Sequence, residues 1–469
     1  MATNEEAKSN APTGVQTIAR WALGIDSADV PKDCIAQAKL LLLDSIGCAI
    51  AGSDESVCRN IISVCEEIGG NGPCTVIGRS RKVDLPHAVL ANGSLVRVLD
   101  LSDYVVGQGK NGPEIGGHPS DNIAVALAAG EARRRSGRDI LAAIAVGYEL
   151  YGRFKGLMDR KAPWDGVSLS GFVAPVMAGR LMGLDADRLA HALALAGARC
   201  ATPAIVRRGG ISAAKSISNA MVAQSAIEAT LLAERGVTGP LAVLEHERGI
   251  RCVFPNGDLQ SVMSAPFPAQ SYIMRSNVKA YPCLATGQAA VAAALKLHGA
   301  LAGRLDGICR IEVMMADYPF VRDQQEDPGR IRPQSRESAD HSFQFLVAVA
   351  LSDGTFSTAQ FDNERWLDQK IVALMGKMTM ATDPTLNTRA PGTYPCVVRV
   401  RDADDREHMA EMLFPPGYSQ GGIAEAEVID KFNSIAGMVG KPQRERIIAA
   451  ALDFDRASNT DALTDTLSG

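Results

Sequence analysis

AAKSISNAMVAQSAIEATLLAE, residues 213–234, is the stretch that decides the fold class. Alanine, serine and small polar residues occupy most of its faces. A helix of this kind has no broad charged side to give to water, so it belongs inside a helical bundle. Its neighbours read the same way. Pro31 opens a run through Ile35, Leu41, Leu42 and Ile46 that stops at Gly52, with proline at the start and glycine at the end as helix polarity requires. Further helices are expected from Ile123 toward Gly137 with Ser120 or Asp121 as cap, over Asp139–Tyr151 and Phe172–Leu184, and over Ala186–Ala198 with Asp185 as N-cap. The texture changes at the turn cluster Phe254-Pro255-Asn256-Gly257, followed by Pro266 and Pro268. Beyond Lys279 helical runs (Ala285–Leu297, Ser342–Leu351, Trp366–Met375) mix with strand-like ones: Ile311, Val313 and Met315, then Cys396–Arg401 and His408–Leu413 as a hairpin. The tail returns to helix. The expected fold is mainly α: a large all-helical domain built from both chain ends, 1–268 and 412–469, with a smaller α+β domain at 269–411.

Hydrophobic residues make up 46% of the 469-residue chain and charged residues 22%, which excludes a mainly disordered protein. The net charge of −5 argues against a nucleic-acid partner. The longest apolar run, Leu40–Ile50, is broken by Asp44, Ser45 and Gly47, so no membrane span is expected. The polar start, Met1–Gly14, lacks an apolar signal core, and the expected location is cytoplasmic. Ten scattered cysteines without a Cys-x-x-Cys pair read as reduced, mostly buried thiols.

Several short constellations can carry chemistry. Gly107-Gln-Gly-Lys-Asn-Gly112 fits G-x-G-x-x-G, but no strand precedes it and Pro113 follows, so a loop is the better reading. Gly117-His118-Pro119-Ser120-Asp121-Asn122 places a histidine just before a helix start. Such a start suits a carboxylate ligand and lowers an imidazole pKa, keeping it available as a base; a plain capping segment is the equal alternative. Asp100 and Asp103 interrupt an apolar run at a helix end, where a half-buried carboxyl can become an acid–base group. Arg207-Arg208-Gly209-Gly210 precedes Lys215, a cation in the first turn of an apolar helix that needs an anionic partner, either a bound carboxylate or a structural Asp or Glu. Lys279 stands at the junction into the α+β region, and Asp340-His341-Ser342 opens another helix.

Taken together these segments resemble the MmgE/PrpD family, which includes 2-methylcitrate dehydratase, cis-aconitate decarboxylase and iminodisuccinate epimerase. The resemblance rests on Leu42–Gly47 with Ala51-Gly52, Arg97–Asp103, Gly117–Asn122, Gly210–Lys215, Lys279–Pro282, and Asp340–Ser342 before Asp353-Gly354, in that order. Arg97–Asp100 and Gly117–Asn122 are most similar to the 2-methylcitrate dehydratase branch. The resemblance implies a homodimer, an α+β lid over the helical domain, and a site between them that uses no metal and no cofactor. It implies a small polycarboxylate substrate attacked next to a carboxylate. Asp100, His118, Lys215 and Lys279 are the catalytic positions carried over, the lysines to hold carboxylates and His118 or Asp100 to move protons. Tyr104, Asp165, Arg207, Arg208, His341 and Phe345 are the expected substrate-binding set.

This chain also departs from the family pattern. Decarboxylase members carry His where Asp165 and Leu284 stand, and Tyr where Phe345 stands. The dehydratases also have Tyr at that last position, and a His within their version of Ala285-Thr286-Gly287. Tyr104 replaces a usual Thr. These changes predict either a more apolar substrate, such as an alkylcitrate, or an isomerising enzyme. The expected function is a hydro-lyase acting by proton abstraction α to a carboxylate. Epimerase or decarboxylase chemistry, or a non-catalytic carboxylate-binding protein, are the alternatives.

Overall fold

The structure is a computed structural model and describes residues 11–469 except 110–111, 160, 255–258, 302–304, 306 and 420. Most of the turn cluster expected at Phe254–Gly257 therefore lies outside the described residues. The small-residue stretch 213–234 forms the helix Ala214–Glu234. It packs against the helices Leu85–Arg97, Ser170–Met182 and Ala186–Gly197, at the centre of the bundle its small residues call for. Close approach recurs elsewhere. A Cβ on Gly52, the last residue of the helix Lys32–Gly52, would sit 2.6 Å from the Leu95 carbonyl.

The chain ends share one core. Val428 and Phe432 on the helix Glu425–Ile435, and Ile447 and Leu463 beyond it, pack with Val15–Val278. The pair is pinned by charge as well: Lys431 Nζ lies 2.6 Å from the buried Asp44 carboxylate. The helix Lys32–Gly52 is long and apolar enough to cross a membrane by composition, but 83% of its most apolar window is buried inside the protein. All ten cysteines are free, and only Cys252 and Cys309 are exposed.

A second core runs from Cys283 to Ala410. The core changes hands between Val278 and Cys283, later than the expected 269, because Ile273 and Val278 pack on the helical bundle. Here the strands β4 (Ile308–Ala316), β5 (Met378–Asp383), β6 (Cys396–Asp402) and β7 (Glu407–Met412) form a sheet of order β5-β4-β6-β7. The helices Gln288–Leu301 and Phe343–Asp353 pack against each other in this core, and the first also covers β6 and β7. Gly354, at φ +64°, ends the second helix in the left-handed conformation that glycine adopts without strain. The β6–β7 hairpin is where the sequence places it. β5, which pairs in parallel with β4, was not expected.

A further correction concerns 104–117. Instead of a loop, β1 (Tyr104–Gly109) and β2 (Gly112–Gly117) form an antiparallel hairpin, with the short β3 (Ser276–Asn277) on the other side of β1. Lys110 and Asn111, within the glycine-rich motif, lie outside the described residues. The antiparallel pairing means this motif is not the strand-to-helix turn of a dinucleotide site.

Candidate active site

A cavity of about 270 Å³ opens between the two cores. The bundle contributes Asp100, His118, Asp121, Tyr151, Asp165 and Arg207 to its wall; the other domain contributes Leu284, Thr286, Phe320, Gln324, Arg330 and His341.

Asp100 follows the helix Leu85–Arg97 and has left-handed backbone, φ +49°. Outside glycine this conformation costs roughly 1–2 kcal/mol, and the surroundings impose it. Lys279 Nζ donates to both the Asp100 carbonyl and Oδ1, each at 2.8 Å. Arg97 Nη1 lies 3.1 Å from Oδ1 and Lys215 Nζ 3.4 Å from Oδ2. Burial alone would raise the Asp100 pKa; Lys215, Lys279 and Arg97 outweigh it and hold the carboxyl well below its ordinary range. Lys215 also lies 3.5 Å from Asp340. Burial lowers the pKa of both lysines, opposed first by Asp100.

His118 follows Gly117, whose φ is +98°; a Cβ there would sit 2.3 Å from the Tyr151 hydroxyl, so only glycine fits. The histidine caps the single turn Pro119–Asn122 ahead of the helix Ile123–Ala132. Its Nδ1 is 2.7 Å from the Asp103 carbonyl, which can only accept. Nδ1 therefore carries the proton and Nε2 keeps its lone pair. Burial, then Arg97 and Lys279, push the imidazole pKa well below its usual value. His118 is a neutral base at the edge of the cavity.

His341 is held differently. Its Nδ1 donates to the Asp340 carboxylate, and its Nε2 lies 3.7 Å from Asp100 Oδ2. Burial and Lys215 bring its pKa down to about 3 despite Asp340, so it too is neutral. Asp121 moves the other way: burial raises its carboxyl to about 6 against the pull of Arg97 and Arg207.

The outer wall carries two guanidinium groups. Arg207 Nε pairs with Asp165 Oδ2 at 2.7 Å, and Asp165 caps the turn Gly166–Leu169 by accepting from the Val167 N–H at 3.0 Å. Burial would raise the Asp165 pKa, and Arg207 lowers it instead. Arg330, 6% exposed, donates from Nη2 to the Arg207 carbonyl at 3.2 Å.

Asp100, Asp340 and His341 bring donor atoms within 4.8 Å of one another. Three such donors could take a metal, but the Lys215 ammonium already sits against both carboxylates. The set does not fit a second cation.

Of the expected residues, Asp100, His118, Asp165, Arg207 and His341 border the cavity. Lys215 and Lys279 are fully buried behind it and face the protein's own carboxylates. Three expectations are corrected. Tyr104 is buried on β1, opposite Asn277 of β3, away from the cavity wall. Arg208 is on the surface. Phe345 lies in the second core, its ring centroid 5.6 Å from Phe361 and 6.4 Å from Trp366, because its helix is buried on every side. Sequence reasoning missed Arg330 and Gln324 and took Asp121 only as a cap. The turn Asp327-Pro328-Gly329 just before Arg330 was the available signal for a fixed guanidinium.

Fold and cleft define a mainly α protein whose titratable wall is assembled from both of its cores. The profile of the MmgE/PrpD N-terminal domain matches residues 16–261, and that of the MmgE/PrpD C-terminal domain matches 281–455. The chain belongs to the MmgE/PrpD family. It is 26% identical to 2-methylcitrate dehydratase of Cupriavidus necator over 89% of each chain. It is 24% identical to cis-aconitate decarboxylase of Aspergillus terreus over 99% of this chain and 98% of the relative, and 25% identical to the Mus musculus cis-aconitate decarboxylase over 93% and 89%.

Proposed function

We propose that the protein is a hydro-lyase that dehydrates a small hydroxylated di- or tricarboxylate of the 2-methylcitrate or alkylcitrate type. The observation that carries this reading is the tautomer of His118: a neutral imidazole with its lone pair on Nε2, bordering a cavity walled by Arg207 and Arg330. Proton removal next to a carboxylate builds negative charge on that carboxylate. Around Asp100, three cations (Arg97, Lys215, Lys279) face the carboxylates of Asp100 and Asp340, and Arg97 Nε also lies 3.9 Å from Asp121. With Asp121 protonated the cluster carries a net positive charge, which is fixed in place before reaction and stabilises the enolate-like intermediate.

In the elimination, the C–H bond α to a carboxylate breaks and its proton goes to His118 Nε2. The electron pair forms the C=C bond as the β C–O bond breaks. The hydroxyl leaves as water with a proton from Asp121, whose raised pKa keeps a protonated fraction near neutral pH. Leu284 and Phe320 on the wall favour a substrate with an alkyl substituent.

The test is proton NMR of the purified protein in D₂O with 2-methylcitrate, citrate, cis-aconitate and iminodisuccinate in turn. An alkene product from a citrate is the expected result. Deuterium exchange without an alkene would replace the reading with an epimerase. Itaconate from cis-aconitate would replace it with a decarboxylase, and no change with any acid would sink the dehydratase reading for these substrates.

A further inference from the structure

We propose that Arg330 is the specificity-determining residue of the cleft: it receives the substrate carboxylate remote from the reacting carbon. This rests on the reading of the cleft as a polycarboxylate site.

Arg330 is buried, borders the cavity, and does not have its hydrogen bonds met by the protein. Among the described residues, its Nε and Nη1 have no hydrogen-bond partner. Asp327 Oδ2 is 3.7 Å from Nε, too far for a hydrogen bond, and only Nη2 is engaged, by the Arg207 carbonyl. A guanidinium offers five N–H donors in a rigid fork that matches a carboxylate. Burying it with donors unmet is unfavourable unless an anion completes the set. The contrast with Arg207 is informative, because Arg207 already has Asp165.

The group is also held in place from both sides of the cleft. Asp327 accepts from the Gly329 N–H at 2.9 Å and so fixes the turn that leads into Arg330. Gly329 lies so close to the bundle that a Cβ would meet the Gly209 carbonyl at 1.9 Å. Nearby, Ser335 donates to the Ile211 carbonyl at 2.6 Å. Positioning by both domains gives the subsite a fixed location, which is what discrimination between acids of different length needs. With His118 on the bundle wall and Arg330 on the opposing domain, the ligand class is an acid with at least two carboxylates.

The test is isothermal titration with tricarballylate, a tricarboxylate without the hydroxyl that elimination needs. Wild type is compared with Arg330→Gln, with Arg330→Lys as a charge-preserving variant, and with Arg406→Gln, in the exposed β6–β7 turn, as a surface control; thermal melts verify folding. Arg330→Gln should bind about 10- to 100-fold more weakly, Arg330→Lys should be intermediate, and Arg406→Gln should match wild type. With a turned-over citrate, Arg330→Gln should raise KM while kcat stays within about threefold. Equal tricarballylate affinity in wild type and Arg330→Gln would overturn the proposal, as would no binding by wild type. Arg330-dependent binding without dehydration of any citrate would sink the hydro-lyase reading and leave the subsite standing.

Discussion

Asp100 and Asp103 lie three residues apart and are both buried, yet they meet opposite surroundings. Asp100 has Lys279, Arg97 and Lys215 within 3.4 Å of its carboxylate and stays ionised. Asp103 has a hydrogen bond from Tyr148 at 3.1 Å; burial first, opposed by Ser120 and reinforced by Asp44, raises its carboxyl to about 7. Its backbone carbonyl orients His118. One carboxylate anchors the charged cluster, and the other belongs to the support beneath the base. Nothing in the local sequence separates these roles. Cations delivered from Lys215 and Lys279, far along the chain, make the difference.

Removing a cation from the Asp100 side should have the largest effect. Lys215→Met leaves the buried Asp340 with only the neutral His341 beside it, takes one of three cations from Asp100, and should destabilise the protein by about 3–5 kcal/mol. Urea denaturation would show this, and wild-type stability would mean that the cluster is not a unit.

On the Asp103 side the effect depends on pH. The folded-state pKa, near 7, lies above the unfolded value, so the stabilising contribution is complete below about pH 4 and is lost as pH rises toward 7. Asp103→Asn can still accept from Tyr148 but cannot ionise. It should gain roughly 1–3 kcal/mol relative to wild type between pH 4 and 7.5. A constant difference across that range in pH-dependent melts would contradict the contrast.

Asp165, paired with Arg207 at the cavity wall, should show the smallest change. Asp165→Asn frees a guanidinium already in place. Affinity for tricarballylate by titration should tighten about 3- to 10-fold, with stability lowered by roughly 1–2 kcal/mol for the loss of a buried charged hydrogen bond. Weaker binding would mean that the Arg207–Asp165 pair holds the wall in shape instead of masking a charge.

The fold was legible where small residues and caps leave one outcome. Asp185 caps its helix through the Arg188 N–H, and Ala214–Glu234 is central because it has no face suited to water. The hairpin at 104–117 was not legible, since its glycines give no alternating pattern. β5, Met-Thr-Met-Ala-Thr-Asp, is only partly buried and reads as neither helix nor strand. In the candidate site, Asp100, His118 and His341 could be named, but their partners could not. Lys279 reaches Asp100 across 179 residues. Phe345 carried a site position by resemblance, and a helix buried from Phe343 to Leu351 drew it into the core. Arg330 stands in a polar Pro-Gly-Arg stretch that resembles many surface turns until the packing of Gly329 against Gly209 is seen.

The most direct test of the account is kcat/KM against pH for wild type and His118→Asn with a citrate that the protein dehydrates, alongside tricarballylate affinity. A neutral, carbonyl-oriented His118 predicts that wild type holds its full rate well below pH 6.5, and that His118→Asn loses about 10²- to 10⁴-fold in kcat while binding tricarballylate within about threefold of wild type. Turnover by His118→Asn at the wild-type rate would contradict the account and move the base to the Asp340–His341 pair.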